Sequence, residues 1–149
     1  VTHDGPTALI LSRQNLPVVT DGAAVAQGAS LVKVANNSLA TIVATGSEVH
    51  LALEAAQLLE KDSVNVNVVS MPSVDRYLAL SSAQQQELVP RGVPSISLEA
   101  GSTFGWSSIT THHIGIDRFG ASAPGSVVME RLGISADNVV ARVKEALAK

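Results

Sequence analysis

Nine residues, 41–49 (Thr-Ile-Val-Ala-Thr-Gly-Ser-Glu-Val), constrain the fold of this chain more than any other stretch. An apolar, β-branched run stops at Thr45-Gly46-Ser47, and a helical pattern starts at once with Glu48. Strand, tight turn and helix in that order are the building block of a parallel α/β sheet. In the helix expected from residue 48 to about 61, Val49, Ala52, Leu53, Ala56 and Leu59 share one face, and His50, Glu54, Gln57 and Lys61 share the opposite one. Glu48 in the first turn complements the helix dipole. The unpaired amides of such a turn make Gly46 and Ser47 a candidate anion site. No G-x-G-x-x-G follows, and no Gly-Lys-Ser/Thr occurs, so the chain has neither a dinucleotide fingerprint nor a Walker loop.

The other segments supply partners for this unit. Residues 30–35 and 39–45 read as strands joined by an Asn36-Asn37 turn, a connection short enough to make them antiparallel if they pair. Strands are also expected over 64–70, 95–99 and 113–117. Ser82 with Gln85 has capping-box spacing and predicts a short helix through Leu88, stopped by Pro90. Ser122 and Pro124 open another short helix that reaches Leu132, with Gly133 at its end. Ser135 caps a last helix whose buried stripe is Ala136, Val139, Val140, Val143 and Leu147. The fold these segments predict is α/β, a three-layer α/β/α sandwich around a mixed, mostly parallel five-stranded sheet. Residues 7–12 form one more strand-like run, cut off from the rest by small residues and glycines over 18–29. Residues 1–28 are therefore expected to be the tail of a preceding domain plus a linker, with 29–149 as the main domain.

Composition narrows the function classes. Hydrophobic residues make up 46% and aromatics only 3%, so the core is aliphatic, as in a sheet covered on both faces. The net charge is −3 with ten scattered Lys and Arg, and no basic stripe or aromatic platform suggests nucleic-acid binding. No apolar run approaches the roughly 18–20 residues of a transmembrane helix, so no membrane partner is expected. The chain has no cysteine, which excludes disulfides and thiolate metal sites.

Arg13 stands just past the carboxyl end of the 7–12 strand, where α/β folds usually contact ligands, and its guanidinium could grip a phosphate by a bidentate fork or simply pair at a surface. His112 and His113 look like a metal pair, but neighbours on a strand point to opposite faces. His113 shares its face with Asp117, and two ligands are too few for a metal site, so no metal is expected. A Ser70–His113–Asp117 triad can be assembled on paper, without the G-x-S-x-G elbow that would support it. Glu99, at the end of its strand, reads as a structural anchor, and Trp106 as packed under its loop or at an interface. No nucleophile with its base, metal cage or cofactor cradle is visible, so no catalytic residue is assigned.

Five motifs in order resemble the C-terminal part of transketolase: Gly-Pro-Thr-Ala-Leu-Ile-Leu-Ser-Arg-Gln-Asn-Leu over 5–16, Ala-Thr-Gly-Ser-Glu-Val over 44–49, Val-Val-Ser-Met-Pro-Ser over 68–73, Leu-Glu-Ala-Gly-Ser-Thr-Phe-Gly-Trp over 98–106 and Ile-Gly-Ile-Asp-Arg-Phe-Gly-Ala-Ser-Ala-Pro over 114–124. The resemblance covers nearly the whole chain. It implies a parent transferase of the pentose phosphate pathway or Calvin cycle, which moves a two-carbon ketol unit from a ketose phosphate to an aldose phosphate. Such a parent works as a cytoplasmic homodimer, or in the plastid stroma in plants and algae, with thiamine diphosphate and Mg2+ or Ca2+.

In this family the arginine of the Ser-Arg-Gln motif contacts the sugar phosphate, which maps onto Arg13. The residues that bind the cofactor belong to the preceding domains, so none is expected here, and His112 and His113 inherit no role. The implied role is that of a structural or regulatory C-terminal domain, inactive alone, whose partners are the preceding domains, the middle one of them pyrimidine-binding and ending in residues 5–16, and the other subunit. Rival readings are the corresponding domain of a related thiamine enzyme, such as deoxyxylulose-phosphate synthase or the pyruvate dehydrogenase beta subunit, or a free-standing anion-binding regulatory module.

Overall fold

The computed structural model describes residues 4–6, 8, 11, 12, 15–20 and 22–148. Of the strand expected over 7–12, Thr7, Leu9 and Ile10 lie outside the described residues. Five strands, β1 (Ser30–Lys33), β2 (Ala40–Ala44), β3 (Val66–Ser70), β4 (Ser95–Leu98) and β5 (His112–Ile114), form one sheet in the order β1-β3-β2-β4-β5. The pairs β2–β3, β2–β4 and β4–β5 are parallel, and β1 runs antiparallel to β3.

Asn36 and Asn37 do reverse the chain, Asn37 with φ of 53°, yet β1 and β2 do not pair. β3 lies between them, and its asparagines hold the connection in place. Asn67 Oδ1 accepts the Ala35 amide at 2.9 Å, the Asn67 amide donates to Ser38 Oγ at 3.0 Å, and Asn65 Nδ2 donates to the Asn36 carbonyl at 3.2 Å. The alternation of Val and Asn before residue 68 thus seats a loop as well as building a strand. Between Leu31 and Lys33 the β1–β3 register shifts, so β1 is kinked.

Side chains alternate across the sheet as the pleat requires. Ile42, Val68, Ile96 and Leu98 pack in one cluster with α1 (Val49–Lys61) and α5 (Ala136–Leu147). Val43 and Val69 pack in the other cluster with Met71, Trp106, Tyr77 of α2 (Val74–Leu78) and Leu88 of α3 (Ser82–Leu88). Three layers result, as expected. In α1 the buried face is Val49, Ala52, Ala55, Ala56 and Leu59, with Leu53 only half-buried. Alanines at 52, 55 and 56 keep that face flat where it meets the sheet and α5.

The helix α4 (Gly125–Arg131) ends at Gly133 (φ 81°), and Ser135 caps α5 by accepting the Asn138 amide at 3.3 Å. α2 is five residues long and carries no period that a sequence could show. The capping box before α3 is Ser81 with Gln84, one residue ahead of the expected Ser82–Gln85 pair. Gln85 instead donates its side-chain amide to the carbonyls of Tyr77, Leu78 and Leu80, at and just beyond the end of α2. Among the described residues no helix is long and apolar enough to cross a membrane.

Candidate functional site

The four parallel strands end at one edge of the sheet, where the connections after β2, β3, β4 and β5 gather. In open α/β sheets this is the edge at which ligands bind. Its central group is Glu48, which is only 5% exposed. Residues Gly46–Glu48 form a 3₁₀ turn that leads into α1. Glu48 Oε2 accepts the Ala100 amide at 3.2 Å, and Oε1 accepts the Ser47 hydroxyl. The start of α1 is therefore already faced by a carboxylate from its own turn, and the Ser47 hydroxyl is turned toward that carboxylate. Gly46 is exposed, with φ of 56°.

Glu99 is the second fixed carboxylate. Its Oε2 accepts the indole N–H of buried Trp106 at 2.7 Å, which holds the loop after β4 down on the sheet. Glu99 is an anchor, as read from the sequence, and of the two positions open to Trp106, an interface or the underside of its loop, the second is observed. Beside them lies a cavity of about 460 Å³, lined by Thr45 and Met71, by Val74 and Leu78 of α2 and by Phe104 of the loop after β4.

Asp117 ties two loops together. Its carboxylate accepts the Thr103 hydroxyl at 2.7 Å, the Thr103 amide at 2.9 Å and the Ser102 hydroxyl at 3.0 Å. These bonds, led by the Thr103 hydroxyl, hold the carboxyl below its ordinary value. Close approach completes the joint: a Cβ on Gly115 would lie 2.7 Å from the Gly101 carbonyl oxygen and 2.8 Å from Thr103 Cγ2. The fifth strand accordingly spans His112–Ile114 instead of 113–117, because beyond Ile114 the chain turns to this loop, with the Ile116 amide donating to Gly101 O at 2.7 Å.

The remaining candidates are kept apart. His113 Nδ1 lies 3.1 Å from both Ser97 Oγ and Thr110 Oγ1, and His112 Nδ1 lies 3.0 Å from Thr111 Oγ1. Ser70 is on β3, with β2 and β4 between it and β5, roughly 14 Å away at the usual strand spacing. The paper triad of Ser70, His113 and Asp117 is not assembled. Among the described residues no group of three or more His, Asp or Glu could hold a metal ion.

Arg13 lies outside the described residues. Its neighbours Asn15 and Leu16 line a second cavity of about 600 Å³ with Glu48, His50, Leu51 and Met129. Leu16, Pro17 and Val19 also lie beside Gly46, Ser47, Val49 and His50. The entering segment therefore crosses the sheet at this same edge. Sequence reading missed the burial of Glu48 and the Asp117 tie, since each depends on a loop distant along the chain.

The family model described as transketolase-like TK C-terminal domain matches residues 28–135. The transketolase of Bacillus subtilis (strain 168) is 44% identical over 157 residues, which covers 98% of this chain and 24% of that protein. Two solved structures superpose closely. Transketolase from Leishmania mexicana gives a TM-score of 0.84 at 37% identity, covering 88% of this chain and 19% of that one. Transketolase from Pichia stipitis in complex with sedoheptulose 7-phosphate gives 0.87 at 33% identity, covering 91% and 20%. The chain thus spans about a quarter of the length of the curated relatives it matches.

Proposed function

This chain belongs to the transketolase-like C-terminal domain family, and we propose that it is the C-terminal domain of a longer cytoplasmic transketolase, supporting a reaction whose working groups lie in the preceding domains. The observation that carries this reading is the family match across residues 28–135, together with transketolases that align over 98% of the chain. The parent transfers a two-carbon ketol unit from a ketose phosphate to an aldose phosphate, as a homodimer. Residues 1–28 are the end of its pyrimidine-binding domain plus a linker, and 29–149 the terminal domain. This division is supported by the start of the family match at residue 28 and by the complete burial of Ala29.

The residues at the carboxyl edge do not fit the thiamine diphosphate that this family implies. A diphosphate brought to Gly46 and Ser47 would face the Glu48 carboxylate, and the described residues hold no acidic or imidazole set for its cation. Cofactor binding accordingly falls to the preceding domains. The contact with substrate belongs to Arg13, whose guanidinium binds the sugar phosphate, while Gly46 and Ser47 are the weaker candidate for an anion. Within this domain Glu48, Glu99 and Asp117 are structural groups, and the domain serves as a buttress.

The test is to assay the 149-residue chain with thiamine diphosphate, magnesium, a ketose phosphate and an aldose phosphate. No turnover is expected, and measurable ketol transfer by this chain alone overturns the reading. In the full-length polypeptide, Arg13→Ala is expected to raise KM for the sugar phosphate by about tenfold or more, the loss of one charge-assisted phosphate contact.

A further inference from the structure

We infer that Phe104 and Phe119 form the edge at which this domain docks onto the preceding domain of its own polypeptide, an inference that rests on the proposed function. The chain has two phenylalanines, and both stand in carboxyl-edge loops at 93% and 96% exposure, while its Trp and Tyr are buried. Covering two such rings would remove roughly 150–250 Å² of surface each from water. Among the described residues nothing covers them.

The two rings flank one tied joint. Phe104 directly follows Thr103 and Phe119 follows Asp117 by two residues, and Asp117 bonds Thr103 and Ser102. The Phe104 amide donates to Ser102 Oγ at 3.2 Å, and the close approach of Gly115 to Gly101 allows the loops little independent motion. On the Phe104 side this joint reduces the conformational freedom lost on docking. The surface continues into Val74 and Leu78, which are exposed on the rim of the same 460 Å³ cavity as Phe104.

The entering chain identifies the occupant. Leu16, Pro17 and Val19 lie beside Gly46, Ser47, Val49 and His50, so the chain enters the domain along the edge that carries the phenylalanines. The relatives are about four times as long as this chain, so a large body is tethered at that edge. Tethering gives it an effective concentration in the millimolar range, which a second copy of the chain does not have.

The test compares hydrogen exchange in the full-length polypeptide and in the 149-residue chain. Amides over 102–106 and 117–121 are expected to exchange about tenfold or more slowly in the full-length protein. The F104S/F119S double variant should abolish that protection and speed proteolytic cleavage within 18–28 by about tenfold, while the melting temperature of the 149-residue chain stays unchanged. Protection elsewhere on the domain but not on these two loops overturns the docking edge and leaves the proposed function standing. Protection that fades on dilution assigns the edge to a second subunit and overturns the inference. A gene that encodes no longer polypeptide overturns the proposed function, and the inference with it.

Discussion

Replacing Gly28 with alanine tests how firmly the chain is seated where it enters the domain. Gly28 has φ of +83°, and a Cβ there would lie 2.5 Å from both the Ser73 carbonyl oxygen and the Tyr77 nitrogen, and 2.7 Å from Arg76 Cβ. Its own carbonyl accepts the Ser73 amide at 3.1 Å, so the residue is pinned against the start of α2. Left-handed backbone costs an alanine about 1–2 kcal/mol. The stiffer unfolded chain returns about 0.4–1 kcal/mol of that. The larger effect is steric, because two of the three obstructing atoms are backbone and cannot rotate away, and overpacking of this kind costs about 1–3 kcal/mol.

A net destabilisation of about 2–3 kcal/mol follows. With a urea slope near 2 kcal/mol/M, the unfolding midpoint should fall by about 1–1.5 M. Fluorescence of Trp106, the only tryptophan and a buried one, reports the transition. Gly92 is the control: its φ is +95°, but a Cβ there meets nothing within 4 Å, so Gly92→Ala carries only the conformational effects. Its expected cost is about 1 kcal/mol or less. If the midpoint of Gly28→Ala falls no further than that of Gly92→Ala, the packing of residue 28 on α2 is wrong.

Three further outcomes follow from the packing and the loop bonds. Leu59→Ala, at a fully buried position between α1, α5 and the sheet, should cost about 3 kcal/mol in urea unfolding. A loss below about 1 kcal/mol would show that the site is not in the core. Trp106→Phe removes the 2.7 Å donor to Glu99 and should cost about 1–2 kcal/mol, with faster exchange of the amides in the loop after β4; an unchanged stability would mean that the indole bond anchors nothing. Asp117 has a folded-state pKa below its unfolded one, so its contribution is complete above the ordinary carboxylate value and is lost as pH falls through the folded value. An NMR titration should give a midpoint below that of an unperturbed aspartate, moving upward in Thr103→Val. A midpoint at or above the ordinary value refutes the tie.

What the sequence made legible was local. α1 shows its length through spacing and α3 its stop at Leu88, although the α3 capping box stands one residue earlier than expected, and the Ser135 cap works as its position implies. The alternation of faces was readable because strand side chains have a strict period of two. The sheet order was not, since a turn at Asn36-Asn37 says only that the chain reverses. Which strand fills the gap is decided by Asn65 and Asn67, about thirty residues later. The edge groups failed to show for the same reason. Glu48 looks like a helix-start residue until Ala100 arrives to cover it, and Asp117 looks like a strand residue until Thr103 meets it. Glu99 and Trp106 were legible because they are close in sequence and join one strand end to its own loop.

The two flanks of the sheet carry a consequence for how this domain can associate. On one side the outer strand is kinked by its register shift and carries Lys33, paired with Glu60 at 2.7 Å. On the other side the last strand is only three residues long. Among the described residues neither margin offers a long straight row of free donors and acceptors, which disfavours a neighbour extending the sheet by laying its own backbone alongside. Growth into ribbons or fibrils from these margins is disfavoured, and assembly through side chains is favoured in its place.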